Sequence, residues 1–139
     1  MTASTFSAPM PLPDPETEGF WAATREGRLT ISRCQSCRVW QHPPTENCRR
    51  CGGASTFEPV SGRGTVYSFI VIRQATVPGR RPPYVVALVE LEEQAGLRLS
   101  ATVLAEPDAV RVGMPVQALL EPVSDDGEFI APSFVPSDG

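Results

Sequence analysis

The sequence predicts a mainly β chain with one short helix, a ribbon built on four cysteines, and a small five-stranded barrel. Three observations predict it. Two C-x-x-C pairs fall within residues 34–51, alternating apolar segments begin near Val66, and turn residues divide those segments into short strands.

Residues 1–13 contain Pro9, Pro11 and Pro13 and few groups able to build a core, so they read as a disordered tail. Asp14-Pro15-Glu16 then reads as a helix start, with Asp14 as N-cap, Pro15 in the first helical position and an acid in the first turn. The expected helix lies within residues 14–27 and stops at Gly27. Phe20 and Trp21 are its only large apolar residues. A helix this short is not stable alone, so it must dock on its own domain or on another subunit.

Residues 28–57 form the expected ribbon. Leu29 to Arg33 predicts a strand leading into "CQSCRVWQHPPTENCRRCGG", which contains every cysteine of the chain. Cys34-x2-Cys37, a ten-residue gap and Cys48-x2-Cys51 suit one tetrahedral site of four thiolates. Zinc is the first choice for such a site, and iron is the alternative in the same ligand set. Four protein ligands close the coordination shell, so a single structural ion is expected. His42 could replace a cysteine, but four thiols suffice, and its expected role is loop packing ahead of Pro43-Pro44. Residues 1–20 lack the basic start and apolar run of an export signal. The chain is therefore expected in the cytoplasm, where thiols stay free for metal and disulfides do not form.

Residues 58–136 supply the barrel. Val66 to Ile72 is β-branched and aromatic. Tyr84 to Glu92 places Val85, Ala87, Val89 and Leu91 on one face, and Leu97 to Leu104 places Leu97, Leu99, Ala101 and Val103 on another buried face. A turn or helical turn is expected from Pro107 to Arg111. Pro115–Glu121 and Glu128–Val135 complete five strands, with Gly96, Gly113 and Asp126-Gly127 as breaks. Five short strands over about 75 residues fit an OB-fold.

A hydrophobic fraction of 41% without a long apolar run argues for a soluble globular protein and against a membrane span. All twelve basic residues are Arg. Residues 25–81 carry ten Arg against three acids, a balance of +7, and residues 82–139 carry two Arg against ten acids, a balance of −8. The basic half reads either as a solvated face or as a phosphate-binding surface, for which the arginine fork is suited. The same inventory argues against catalysis. A chain without Lys forms no Schiff base, a metal site takes all four thiols, and one His remains. No catalytic residue is expected. A nucleic-acid-binding module is the competing class, but an acidic, Lys-free chain with few aromatics gives it little footprint. Neither a nucleic acid nor a membrane is an expected partner.

The stretches "FW", "RCQSCRVWQHPPTENCRRCGG", "SGRGTVYSF", "PYVVALVELE" and "VRVGMPVQALL" resemble, in order over about residues 20–121, the acyl-CoA-associated family that joins a rubredoxin-like zinc ribbon to an OB-fold. Arg38 and Arg49 depart from it, standing where the knuckles often carry Gly and Pro. The resemblance implies a non-catalytic accessory subunit in a hetero-oligomer with a thiolase-fold, lipid-transfer-protein-like enzyme. A steroid side-chain aldolase is the setting it fits best, and an acyl-CoA thiolase or acyltransferase, or a MaoC-like hydratase, is the alternative. It further implies CoA phosphates near Arg63, Arg73, Arg80 or Arg81. Gly62 and Gly64 beside Arg63 would admit a ligand close to the backbone, or else serve a barrel bend. Phe20, Trp21 and Trp40 are the candidate aromatic anchors for the partner subunit.

Overall fold

The computed structural model describes residues 11–75, 80–123 and 129–138. Most of the expected tail lies outside these residues, as does Glu128, the expected start of the last strand. The elements in chain order are α1 (Glu18–Arg25), β1 (Thr30–Cys34), β2 (Trp40–Gln41), β3 (Ser55–Pro59), β4 (Arg63–Ile72), β5 (Tyr84–Leu91), β6 (Arg98–Val103), a 3-10 turn (Pro107–Ala109), β7 (Pro115–Pro122) and β8 (Ile130–Pro136).

The helix begins later than its sequence signal. Asp14 Oδ1 accepts from the Glu16 and Thr17 amides at 3.0 and 2.9 Å, so Asp14 caps a preceding turn, and regular helix starts at Glu18. Its end follows the glycine signal. Gly27 has φ +84°, Arg28 N–H donates to Ala23 O at 3.0 Å, and Gly27 N–H donates to Thr24 O at 2.9 Å. This double bond pattern satisfies carbonyls that the last turn leaves open.

β1 is the centre of a three-stranded antiparallel sheet ordered β2-β1-β3. The other five strands close into a barrel ordered β4-β5-β6-β8-β7, with β7 returning to β4. This is the five-stranded closure expected from the strand pattern. Val85, Ala87, Val89 and Leu91 of β5 are all buried, as are Leu99 and Val103 of β6, while Ala101 is half-buried. Leu29, Ile31 and Trp40 of the ribbon belong to the same apolar cluster as Val66, Val89, Val116 and Phe134 of the barrel. Ribbon and barrel therefore share one core.

Candidate metal centre and adjoining groove

The two cysteine pairs fold into a pair of matching knuckles. Arg38 N–H donates to Cys34 O and Gly52 N–H donates to Cys48 O, closing one turn after each pair. The residue following each second cysteine has a left-handed backbone, Arg38 at φ +67° and Gly52 at φ +79°. Within the turns, the Ser36 and Cys37 amides point at Cys34 Sγ at 3.3 and 3.4 Å, and the Arg50 and Cys51 amides point at Cys48 Sγ at 3.3 and 3.4 Å. Facing the two knuckles brings Cys34 Sγ to 3.5 Å from Cys51 Sγ and Cys37 Sγ to 3.7 Å from Cys48 Sγ, with all four sulfurs within 4.8 Å of one another.

These separations are far beyond the S–S bond of about 2.05 Å, so the thiols are not disulfides. They match the edge of about 3.8 Å that four Zn–S bonds of about 2.3 Å would set in a tetrahedron. The local chemistry fits a cation as well. Burial opposes ionisation of Cys48, but the Cys51 and Arg50 amides outweigh it and hold that thiol down to about 6. Amide hydrogen bonds, first from Cys37, also lower the Cys34 thiol. The Val39 amide favours the Cys37 thiolate, yet burial and the three neighbouring sulfurs push that thiol up to about 11. Four thiolates this close need a positive ion between them. Gly53 keeps the cradle open, since a Cβ there would lie 2.7 Å from Ser36 Oγ and 3.3 Å from Cys34 Sγ. His42 is not part of the cluster. Half-buried, it has its pKa lowered by burial and then by Arg49.

Outside the knuckles, Glu58 of β3 braces the ribbon by accepting from Gln35 Nε2 at 2.8 Å and pairing with Arg38 at 3.1 Å and Arg33 at 3.5 Å. The ribbon then docks through Trp40. The Gln94 side chain, in the β5–β6 turn, accepts from Trp40 N–H at 3.0 Å and donates to Trp40 O at 3.1 Å, while the Arg33 guanidinium lies 4.5 Å over the indole. Trp40 is only 8% exposed. It was expected as an exposed partner anchor, and it is instead an internal joint between ribbon and barrel.

Phe20 and Trp21 are placed differently. Their rings meet edge to face at 5.0 Å, Trp21 meets Phe129 at 5.8 Å, and both residues line a groove of about 590 Å³. The groove runs between α1, the ribbon loop at His42 and Pro44, and the outer side of β5, β6 and β8. β6 and β8 border it, and they are registered at a single parallel position, Val103 opposite Phe134, with Pro132 on β8 lacking the N–H that a further ladder bond would need. Leu99 to Thr102 line it on one side and Ala131 to Ser133 on the other.

The four expected arginines do not gather. Arg63 sits at the start of β4 and is bound to Glu92, with its Nε 3.1 and 3.2 Å from the two carboxylate oxygens. Arg73 and Arg80–Arg81 lie at the opposite end of the β4–β5 hairpin, beyond the Ile72–Tyr84 pair. Arg80 reaches Thr102, lies 5.3 Å over the Tyr84 ring and lines the groove. The glycines beside Arg63 serve the barrel. A Cβ on Gly64 would lie 2.5 Å from Glu90 O, and Gly62 has φ +83° with Ala118 packed against it. The groove itself had no sequence signal, since strands far apart in the chain create it. The Gln94–Trp40 joint was missed for the same reason.

Comparison with known proteins agrees with this architecture. Residues 21–58 match the family model described as "ChsH2, rubredoxin-like zinc ribbon domain", and residues 57–121 match "ChsH2, C-terminal OB-fold domain". A solved structure described as "Ltp2-ChsH2(DUF35) aldolase" superposes with a TM-score of 0.83 at 34% identity, covering 91% of this chain and 98% of that one. A "DUF35 domain-containing scaffold protein" of Methanocaldococcus jannaschii is 34% identical over 78% of this chain and 79% of its own length. A "Probable enoyl-CoA hydratase alpha subunit" of Thermomonospora curvata is 41% identical over 85% of this chain. A "3-oxo-4,17-pregnadiene-20-carboxyl-CoA hydratase alpha subunit" of Mycobacterium tuberculosis is 39% identical over 74% of it. The chain spans 37% and 33% of the length of these two hydratase subunits. By its paired cysteine knuckles, its closed five-stranded barrel and these matches, the chain belongs to the ChsH2/DUF35 family of zinc-ribbon and OB-fold proteins.

Proposed function

We propose that this chain is a non-catalytic accessory subunit of a thiolase-fold acyl-CoA enzyme, an aldolase acting in steroid side-chain degradation. The observation that carries the reading is its likeness to the ChsH2(DUF35) chain of an aldolase complex, matched over 98% of that chain's length. The inventory supports it, because the only four thiols converge on one point and the sequence has no Lys. In this reading the partner breaks the Cα–Cβ bond of a β-hydroxyacyl thioester, the hydroxyl losing its proton to become a ketone and the α-carbon taking up a proton to give the shortened acyl-CoA. One zinc ion held by Cys34, Cys37, Cys48 and Cys51 shapes the ribbon and takes no part in that step.

Arg73, Arg80 and Arg81 hold phosphates of the CoA in this proposal, with Arg80 at the groove. Arg63, committed to Glu92, is the weakest of the original four. Calorimetry with CoA on the assembled complex tests the point. Charge reversal of the three should weaken binding at least tenfold, and an unchanged affinity would sink it. The whole reading is tested by assaying the two chains apart and mixed. Retro-aldol turnover should appear only in the mixture, and full activity from either chain alone would overturn it.

The hydratase setting is the second reading, favoured by the two subunits of that name. An enoyl-CoA hydration assay on the native assembly separates the two.

A further inference from the structure

Two barrel strands break the pattern of a half-wet sheet. "VYSFIVI" over residues 66–72 and "YVVALV" over 84–89 are nearly continuous apolar runs. An antiparallel strand with one face in water alternates, and continuous runs belong to strands covered on both faces. The barrel interior takes Val66, Phe69, Val71, Val85, Ala87 and Val89. The register then sets Ile70 opposite Val86, Ser68 opposite Leu88 and Ile72 opposite Tyr84 on the outer face. There Ile70 is 59% exposed, Leu88 39% and Tyr67 48%. Tyr67, in the bulge of β4, is held by the Arg98 guanidinium 3.6 Å over its ring, and Glu90 fixes Arg98 in turn at 3.1 Å.

We infer that this outer face, centred on Tyr67, Ile70 and Leu88, is the surface on which the catalytic subunit docks. The inference rests on the accessory-subunit reading and adds to it the place of contact. A preordered aromatic beside an apolar centre is the make-up of an interface core. Charge selects the occupant. At the hairpin end of the face, Arg73, Arg80 and Arg81 form no ion pair among the described residues. A second copy laid across the face would offer them Glu90 and Glu92, which Arg98 and Arg63 of the same chain already neutralise. The face fits a different chain, one with an apolar centre, whose bound CoA brings to the rim the phosphates that these arginines hold in the proposed function.

The test uses the full chain and its cognate thiolase-fold subunit, taken from neighbouring reading frames. Ile70→Glu with Leu88→Glu would bury unpaired charge in the contact, and the double variant should bind at least 100-fold more weakly. Leu119→Glu, an exposed residue of β7 paired with β8 and outside this face, should bind like the wild type. Unchanged zinc content and unfolding midpoint establish that the variants fold. Normal binding by a folded double variant overturns the surface, and so does equal loss in Leu119→Glu. An isolated chain that dimerises through this face, and is made monomeric by the double variant, overturns the choice of occupant. A wild-type chain that fails to bind overturns the accessory reading itself, and the docking surface with it.

Discussion

Gly64 shows how much one hydrogen atom decides at the residue scale. Its position against Glu90 O lets β4 lie between β5 and β7 at the barrel's closure, where any side chain would strike backbone. Gly64→Ala should therefore cost about 1–3 kcal/mol by overpacking, toward the upper end because a carbonyl cannot swing away. Gly96→Ala is the matched control. Its φ of +83° is strained for alanine but nothing lies within 4 Å, so a loss of about 1 kcal/mol is expected. Denaturant unfolding of both variants measures the difference. Glu92 gives a second residue-scale expectation. Its hydrogen bond from Arg63 holds its carboxyl below the ordinary value of 4.5. A carboxyl lowered on folding adds stability above its ordinary pKa and loses it as pH falls through the folded value. Glu92→Gln should flatten the acid side of the stability profile slightly, since an exposed pair contributes little. Urea midpoints across the acid range check this. Neither role could be read from "SGRG", because Glu90 and Glu92 lie across a hairpin and only the fold brings them near.

At the scale of elements, the ribbon and the barrel strands were legible for different reasons. The ribbon was legible because its spacing is chemical, as four thiols at those intervals have one compact way to meet. β5 and β6 were legible because alternation maps directly onto the two faces of a strand. β2 was not, being two residues long and held partly by a side chain from the β5–β6 turn. Helix α1 was placed at the right stretch but began early, since Asp14 satisfies the amides of a turn before the helix. Cys48→Ser should remove most of the ribbon's order. Structural zinc supplies about 10–16 kcal/mol of folding free energy in isolated fingers, so a loss above about 3 kcal/mol is expected even with the barrel's support. Metal content and thermal unfolding of the variant decide it.

The molecule as a whole should unfold as one unit. Leu29, Ile31 and Trp40 share the barrel's apolar cluster, so the ribbon has no core of its own to keep when the barrel melts. Calorimetry should show a single transition, and a chelator should move its midpoint down without splitting it. Two separated transitions would contradict a shared core. Trp40→Ala, which cuts the joint, should cost about 3–5 kcal/mol and begin to separate the two parts. The meeting of β6 and β8 has a consequence for motion. Strands that pair along their length can part only by breaking hydrogen bonds in series, but these two are laced at one point, Val103 opposite Phe134. Between them the barrel has a seam that can widen at almost no cost in backbone bonds, with α1 lying over it. The amide proton of Ser100, which by strand alternation faces β8 as the Leu104 amide does, should exchange with solvent sooner than those of β5, which is laced on both sides. On that expectation the closed barrel parts first along this line, and the groove is its mouth.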